Sequence, residues 1–383
     1  MTYSKLWAAS LLFVLLTACV PSVYDEPYPV EEVVLPRDDA AHPAPIEWWY
    51  YTGHLEDESG EEYGFELTFF KAYAPPEIKL LGFYPAYYLI DRGHVGHFAV
   101  TDKSNETFTK GERADFWGYE GGASSDELDV FVAGWSAKRA EDGVSHRIQA
   151  NEAGYEIDLT LTPTKPAALH GDPPGIQSMG PGGTSYYVSY TRMAVSGTLK
   201  TDCDVTGLAC KTLEVSGQAW HDHQWGDFDV SSYAGWDWFS MQFDDNTELM
   251  IYLIRMPNGE YVAQAGSFVT ADGRTLELTE EDLSIEETGE TWTSEATGAV
   301  YPIEWRVRVP KHDVDVNVKP VIPNQEMDTR ASTGIVYWEG AVDLTGSHTG
   351  DGFVELTNYD LYPYGLTDEN TPLQPLRGPF GGG

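Results

Sequence analysis

Two histidines, two tryptophans and two aspartates lie within the twelve residues GQAWHDHQWGDF, at positions 217–228. A histidine with a near-neutral pKa can give or take one proton, and the face of an indole ring attracts positive charge. The stretch therefore predicts acid/base chemistry beside an aromatic wall, with His223 as the acid/base group, Asp222 as the residue that orients it and Trp225 in the wall. The alternative interpretation is a purely structural stack of rings that seals a boundary between domains.

A metal site is a further interpretation of this stretch. On a strand, His221 and His223 would share one face at a spacing that suits two ligands of a zinc or copper ion. A third ligand is required, and the other histidines that could supply it are not part of a recognisable metal motif: His42, His54, His94, His97 and His170. We therefore expect no metal ion.

Other catalytic motifs are absent from the sequence. No GxSxG elbow predicts a serine nucleophile. The GPGG segment at 180–183 has no lysine and no following helix, so it does not predict a phosphate-binding loop. We expect no cofactor, and we interpret the glycine- and proline-rich stretch around GPGG as a loop that covers the mouth of a cavity.

Short β-strands must position these side chains. Alternating or short apolar blocks recur along the chain, separated by Gly, Pro, Asn and Asp, and no segment shows a sustained helical period. In YGFELTFF, for example, one face would carry Tyr63, Phe65, Leu67 and Phe69. The pattern predicts an all-β protein built from sandwiches or barrels.

The same alternation divides the residues of the 217–228 stretch between two faces. If it is a strand, one side carries His221, His223 and Trp225, and the other carries Trp220, Asp222 and Gln224.

An internal repeat indicates two such domains. Residues 48–71 and 236–255 both run from paired tryptophans through an acidic turn to an apolar strand that ends in Lys71 or Arg255. The repeat predicts tandem β-domains packed against each other, with a boundary near residue 230. The assigned segments are an N-terminal domain at 46–230, a C-terminal domain at 231–367 and a flexible tail at 368–383.

The first residues predict export and lipidation. Residues 1–18 contain a basic start and a 13-residue apolar run that is too short to span a bilayer. The run ends in Leu-Thr-Ala before Cys19, which resembles a bacterial lipoprotein signal and implies lipidation of that cysteine. Residues 19–45 would form an acidic, proline-rich tether. We expect a lipid-anchored protein of the bacterial cell envelope, at the outer membrane.

The predicted compartment bears on the two remaining cysteines, and the net charge excludes one class of partner. Cys203 and Cys210 are separated by six residues in an oxidising space, so we expect a disulfide bond between them, two free thiols being the alternative. The formal net charge of −38 leaves no basic stripe to neutralise phosphates, which excludes nucleic acid as a partner.

Five ordered motifs together resemble the AttH / hydroxyneurosporene synthase-like family. They are HPAPIEWWYYTGHL (42–55), SYYVSYTRMAVSGTL (185–199), GQAWHDHQWGDF (217–228), GWDWFSMQFDD (235–245) and YWEGAVDLTG (337–346). The resemblance implies tandem lipocalin-like β-barrels around an aromatic-lined cavity that holds an apolar ligand. In the carotenoid 1,2-hydratase branch it also implies cofactor-free addition of water to a terminal alkene, through a tertiary carbocation.

The resemblance carries over to individual residues only in part. His223 and Trp225 match the His-x-Trp pair of the hydratases, and Tyr252 matches the tyrosine of a later Tyr-x-Asp pair. Ile254 stands where the proton-donating Asp would be, so another acid is required. The candidates for that acid are Asp222, Glu47 and Asp237.

The remaining ligand-binding predictions are aromatic residues and one acid: Trp48, Trp49, Trp225, Trp236, Trp238 and Glu47. Three functions follow. The first is an envelope lipoprotein that binds a hydrophobic lipid or isoprenoid and hydrates or hydrolyses it, with His223, Asp222 and Tyr252 as catalytic residues. The second is a non-catalytic binder or carrier of such a molecule. The third is a structural attachment protein with no ligand.

Overall fold

The computed structural model describes residues 32–72, 93–179, 183–203, 209–228, 233–258 and 260–362. The signal segment, Cys19, the tether up to residue 31, most of the GPGG segment and the tail at 368–383 lie outside the described residues.

The described chain is almost entirely antiparallel β-structure. Its strands are β1 (Ile46–Asp57), β2 (Glu62–Ala72), β3 (Gly93–Asp102), β4 (Thr107–Asp115), β5 (Gly121–Ala123), β6 (Asp129–Val132), β7 (Trp135–Arg139), β8 (His146–Glu152), β9 (Tyr155–Pro163), β10 (Ala168–Leu169), β11 (Ile176–Ser178), β12 (Gly183–Thr201), β13 (Lys211–Phe228), β14 (Gly235–Phe243), β15 (Glu248–Arg255), β16 (Tyr261–Val269), β17 (Thr275–Thr279), β18 (Ser284–Glu287), β19 (Thr291–Thr293), β20 (Val300–Pro302), β21 (Trp305–Val309), β22 (Val314–Pro320), β23 (Glu326–Thr329), β24 (Ile335–Gly346) and β25 (Gly350–Thr357). Single 3-10 turns lie at Arg37–Asp39, Glu280–Asp282 and Pro310–His312.

Two large sheets contain nearly all of these strands. The first has the order β4-β3-β2-β1-β13-β12-β9-β8-β7-β6-β5, with β10 and β11 also paired to β12, and it curls into a nearly closed barrel. The second has the order β17-β16-β15-β14-β25-β24-β22-β21-β18, with β23 paired to β24, and forms a half-barrel. This architecture confirms the prediction of tandem lipocalin-like barrels.

The two sheets repeat one topology. In the first sheet the opening hairpin β1–β2 pairs with the last long strand, β13. In the second the opening hairpin β14–β15 pairs with the last strand, β25, in the same way. These hairpins contain the two copies of the internal sequence repeat, so the repeat corresponds to equivalent positions in the two sheets.

Close approach of opposite walls lets the first sheet curl. Gly96 on β3 faces Trp135 and Val132, and a Cβ at this glycine would lie 2.9 and 2.7 Å from atoms of those two side chains. Any larger residue would force the walls apart, because real Cβ atoms do not approach other atoms that closely. The small residue therefore allows the barrel interior to close around its aromatic core.

Alternation along each strand divides the buried side chains of the described residues among three large cores and a small fourth cluster of Ala99, Met327 and Tyr337. Trp49 and Tyr51 on β1 point into the interior of the first barrel, and a second core fills the half-barrel of the second sheet. Tyr50 lies between them in sequence and points the other way, into a third core shared with Trp238 and Tyr252 from the second sheet. We call this third core the junction, since it joins the two sheets.

The structure confirms the expected disulfide bond between Cys203 and Cys210. Within the described ranges, no helix is long and apolar enough to cross a membrane.

Candidate ligand cavity and a buried charge cluster

A largely apolar cavity lies at the junction, with walls from both sheets. The cavity and its mouth together enclose about 1150 Å³ of empty space, part of which is open to solvent. Four of the aromatic residues predicted from the sequence line it, namely Trp48, Trp236, Trp238 and Tyr252. Gln177 and Met179, from the stretch interpreted as a loop over a cavity mouth, also line it.

Asp222 is the predicted site residue that brings a carboxyl group to this cavity. It lies on β13 opposite Tyr50 of β1 and Ser189 of β12. Its carboxyl accepts hydrogen bonds from the hydroxyl of Tyr187 at 2.6 Å, from the hydroxyl of Ser189 and from the indole N–H of Trp220. Burial raises the pKa of Asp222 to about 7, although these three hydrogen bonds act in the opposite direction.

Two further carboxyls enter the cavity from the second sheet. Glu339 on β24 and Glu355 on β25 lie directly opposite each other, and both line the cavity. The hydroxyl of Tyr50 donates to Glu339 at 2.6 Å, and the indole N–H of Trp236 donates to Glu355 at 2.7 Å.

The protonation of these two carboxyls follows from burial and mutual repulsion. Burial raises the pKa of Glu355 to about 7, against the hydrogen bond from Trp236. Burial, together with the nearby charges of Glu355 and Glu66, raises the pKa of Glu339 well above its usual range. Glu66 on β2 is itself buried, which raises its pKa to about 8. The cavity is therefore bordered by carboxyls that retain protons near neutral pH.

Glu339 and Glu355 were not among the residues singled out from the sequence. Both occur in alternating strand patterns, where an acid usually faces solvent. A signal was nevertheless present, because Glu339 directly follows Tyr337 and Trp338, which place a large aromatic side chain on each face of the strand.

The opposite face of β13 carries a different site. His223 points into the first barrel, where its Nε2 lies 2.8 Å from Oε1 of Glu47. The same oxygen lies 2.8 Å from Nδ1 of His42, and the ammonium group of Lys71 contacts the other oxygen. We call His42, Glu47, Lys71 and His223 the charge cluster.

Aromatic rings enclose the charge cluster. The imidazole of His42 stacks on the indole of Trp225 with ring centroids 3.9 Å apart, and Trp49 stacks on His223 at 4.8 Å.

Within the cluster, Glu47 stays ionised. Burial alone would raise the pKa of Glu47, but hydrogen bonds from His223 and His42 and the charge of Lys71 outweigh the effect of burial and hold that pKa below its usual range. Burial lowers the pKa of His223. Glu47 is thus an ionised carboxylate that is fully satisfied by its neighbours.

The structure therefore separates the predicted site residues into two groups. Asp222, Tyr252, Trp48, Trp236 and Trp238 meet at the cavity. The others belong to the charge cluster and its aromatic surround: His223, Glu47, Trp49 and Trp225.

The prediction that Asp222 orients His223 is wrong. Adjacent residues on a strand point to opposite faces, so Asp222 bonds Tyr187, Ser189 and Trp220, while the ring of His223 bonds Glu47. The prediction that Trp225 shares a wall with Trp236 and Trp238 is wrong for the same reason. Trp225 stacks on His42 inside the barrel.

The other acids considered as replacements for the missing Asp do not reach the cavity. Glu47 belongs to the charge cluster. Asp237 accepts a hydrogen bond from Nη1 of Arg255 at 2.8 Å and from the hydroxyls of Tyr261 and Tyr359. Ile254 does line the cavity, and it adds apolar surface there.

Three members of the charge cluster form a group that could hold a metal ion. Ligand atoms of His42, Glu47 and His223 lie within 4.8 Å of one another. The ammonium group of Lys71 contacts Glu47 directly, and its positive charge opposes binding of a divalent cation at the same carboxylate. Lys71 therefore satisfies the charge of Glu47 without a metal.

Comparison with known proteins places this architecture in a family. The family model described as AttH-like matches residues 26–359. The chain belongs to the AttH-like family. A crystal structure of an AttH protein from Nitrosomonas europaea is 31% identical over 87% of this chain and 98% of that one, with a TM-score of 0.75.

More distant solved structures share the fold of this AttH-like protein. Kievitone hydratase from Nectria haematococca is 17% identical over 82% of this chain and 90% of its own, with a TM-score of 0.63. CghA with Sch210972 is 13% identical over 88% and 96% of the two chains, with a TM-score of 0.52. A search among curated protein sequences found no match.

Proposed function

We propose that this AttH-like protein binds an isoprenoid or similar apolar molecule in the junction cavity and adds water to one of its alkenes without a cofactor. One observation carries the proposal. Asp222, Glu339 and Glu355 line an apolar, aromatic cavity, and no Lys, Arg or His side chain of the described residues forms a salt bridge with any of them. Carboxyls in such surroundings stay protonated near neutral pH and can act as acids.

The first step is protonation of the alkene. The O–H bond of the Asp222 carboxyl breaks as a C–H bond forms at the less substituted alkene carbon, and the other carbon becomes a tertiary carbocation. The ring faces of Tyr50, Trp48 and Trp238 border the same cavity, where they would stabilise the cation electrostatically.

The second step is capture of the cation by water. A C–O bond forms, and the proton that the water loses passes to Glu355, whose pKa of about 7 lets it act as a base when ionised. Glu339 stays neutral and holds its position through the hydroxyl of Tyr50. One proton has left Asp222 and one has arrived at Glu355, so the reaction is balanced as addition of water.

Isotope incorporation tests this function directly. The purified soluble part of the chain would be incubated with acyclic terpenes such as squalene or geranylacetone, in D₂O and separately in H₂¹⁸O, and extracts analysed by mass spectrometry. We expect a product that carries one carbon-bound deuterium or one ¹⁸O. Asp222→Asn should reduce turnover by about 10²-fold or more, the usual contribution of a positioned acid.

His223→Gln is the matched comparison, since it removes a titratable group one residue away on the opposite face of β13. We expect a folded His223→Gln protein to retain turnover. Loss of turnover in His223→Gln with normal folding and normal probe binding, together with activity in Asp222→Asn, would refute the assignment.

A carrier that binds the same molecule without turnover is the second candidate. Ile254 favours it, because an apolar side chain stands where the hydratase pattern has a carboxyl. Native mass spectrometry and organic extraction of the protein from its own host would reveal a bound lipid or terpenoid under either function. Bound ligand with no isotope incorporation identifies a carrier.

We further propose that the protein acts in the bacterial envelope, held by a lipid at Cys19. The support is the apolar run of residues 6–18 that ends in Leu-Thr-Ala before Cys19. Metabolic labelling with a radioactive fatty acid should label the parent protein and not Cys19→Ser. Equal labelling of both would refute the anchor.

A further inference from the structure

A continuous line of hydrogen-bonding groups connects Asp222 with the protein surface. The hydroxyl of Ser189 bonds Oδ1 of Asp222, and the same hydroxyl oxygen lies 2.7 Å from Nε2 of His170. The other ring nitrogen of His170, Nδ1, lies 2.8 Å from the hydroxyl of Ser267, which donates to Oε1 of Glu277 at 3.0 Å.

The line runs from four buried residues to one exposed residue. Asp222, Ser189, His170 and Ser267 are all buried, and Glu277 is exposed. The groups therefore lead from the cavity to solvent through protein that holds them in fixed positions.

The fold fixes each member of the line. Ser189 lies directly opposite Asp222 in the pairing of β12 with β13, and Ser267 lies directly opposite Glu277 in the pairing of β16 with β17. Cross-strand neighbours of this kind have side chains on one face at contact distance. His170 bridges the two pairs, one from each sheet, through its two ring nitrogens.

His170 is held by its own local structure. Its backbone N–H donates to the carbonyl of Tyr187 at 3.1 Å, and its ring packs against that of Tyr187 with centroids 4.4 Å apart. Gly171 has a φ of +92°, and a Cβ there would lie 2.0 Å from the carbonyl oxygen of Ile176. Only glycine allows the tight turn that follows His170.

We propose that Glu277, Ser267, His170 and Ser189 form a proton relay that returns a proton from solvent to Asp222 after each turnover. The relay rests on the proposed role of Asp222 as the proton donor. It also gives a function to His170 and Ser267, two buried residues that otherwise have no part in the site.

The proton count along the relay is consistent in both of its states. With the proton on Glu277, that carboxyl donates to Ser267, Ser267 donates to Nδ1 of His170, Nε2–H of His170 donates to Ser189, and Ser189 donates to the Asp222 carboxylate. Moving every proton one position inward leaves Glu277 ionised, His170 in its other neutral tautomer and Asp222 protonated.

The electrostatics of the relay favour this shuttle. Burial lowers the pKa of His170 to about 3, so the ring stays neutral and changes only its tautomer. Partial desolvation by the surrounding protein, together with the nearby charge of Asp172, raises the pKa of Glu277 above its usual range, which brings it toward that of Asp222. Proton transfer between acids of similar strength has a small free-energy cost.

Hydrogen–deuterium exchange of the Asp222 carboxyl tests the relay without a substrate. The carbonyl stretch of the protonated Asp222, identified as the infrared band lost in Asp222→Asn, shifts when O–H becomes O–D after rapid dilution into D₂O. The measurement is made one pH unit below the pKa of Asp222, where the carboxyl carries its proton.

We expect the exchange to slow about tenfold or more in Ser267→Ala and in Glu277→Gln, with the band position unchanged. Glu277→Gln keeps an oxygen that accepts from Ser267 and lies at the exposed end, so folding is preserved there. Ser185→Ala is the matched control, since Ser185 bonds Gln224 near the cavity and lies outside the relay. Its exchange rate should equal that of the parent.

Parent-like exchange in both Ser267→Ala and Glu277→Gln would overturn the relay, because water in the cavity would then deliver the proton. This outcome is separate from failure of the proposed function. A slowed exchange in a protein that incorporates no isotope into terpenes would support the relay and refute hydration of those substrates.

Discussion

Glu47 of β1 and Asp222 of β13 are both buried carboxyls on opposite faces of the first sheet, and their pKa values are shifted in opposite directions. On the barrel side, hydrogen bonds from two histidines and the charge of Lys71 keep Glu47 ionised and its pKa low. On the cavity side, Asp222 receives hydrogen bonds only from neutral hydroxyl and indole groups, and its pKa is raised to about 7. Burial alone therefore does not determine what a carboxyl can do, since the charge of its partner decides whether it is a structural anion or an available acid.

The comparison predicts its largest effect at Lys71. Replacing Lys71 by Met leaves Glu47 as a buried charge without its cation, and we expect the free energy of unfolding to fall by about 3–5 kcal/mol. Denaturant unfolding measures the loss. The matched change at an exposed pair is Arg147→Gln, which removes a partner of Asp158 and should cost less than about 1 kcal/mol. Equal losses at the two sites would show that the charge cluster is not a tightly buried anion site.

A second prediction concerns the pH dependence of stability on the cavity side. Glu355 has its pKa raised from 4.5 to about 7, so the folded protein holds a proton that the unfolded chain has lost between these values. The contribution of Glu355 to stability is present below pH 4.5, falls as pH rises through about 7, and stays lost above. Glu355→Gln does not titrate. Between acid pH and about pH 8, its free energy of unfolding should therefore rise by on the order of 3 kcal/mol relative to that of the parent.

The contribution of Glu47 to stability should change with pH in the opposite direction, so Glu47 serves as the control. Its pKa is held low, so its contribution is present above pH 4.5 and is lost as pH falls through the folded-state pKa. Urea unfolding across this pH range compares Glu355→Gln and Glu47→Gln with the parent. A stability difference between Glu355→Gln and the parent that does not change with pH would contradict the neutral carboxyl in the cavity.

The smallest effect is expected when a tryptophan is replaced by phenylalanine, once at the cavity and once in the barrel. Trp238→Phe reduces the aromatic surface that lines the cavity. It also removes the hydrogen bond from the indole N–H of Trp238 to the hydroxyl of Tyr187, 2.9 Å away. It should weaken binding of the neutral probe N-phenyl-1-naphthylamine by about 1 kcal/mol, or roughly fivefold. Trp225→Phe lies in the barrel and should leave the affinity unchanged. Fluorescence titration distinguishes the two, and a larger loss in Trp225→Phe would place the ligand site in the barrel.

Much of the fold could be predicted from the sequence. Alternating apolar residues in segments such as 63–70 specify strands, and the repeat between 48–71 and 236–255 specifies two similar sheets. Both features depend on local spacing, which the sequence displays directly.

The site could be predicted only in part, for a physical reason. The alternation in GQAWHDHQWGDF correctly separates His223 from Asp222, but it does not show which face meets the second sheet. His223 and Trp225 match the hydratase pattern, and yet they point into the barrel, while Asp222 points to the cavity.

The acids of the second sheet show the same limit. Glu339 and Glu355 become buried only when β24 and β25 pack against Tyr50 and Trp236 across long sequence distances. Only the tertiary packing of the two sheets places these acids next to Asp222 and makes them chemically relevant.

The central claim is that the pKa of Asp222 is raised, so that its carboxyl retains a proton up to about neutral pH. The most direct test is a pH titration of its carboxyl by infrared difference spectroscopy of the parent protein against Asp222→Asn. We expect a protonated carbonyl band that disappears with a midpoint near pH 7, in line with the pKa of about 7. A carboxylate that stays ionised down to the ordinary aspartate value of 3.8 would contradict the account.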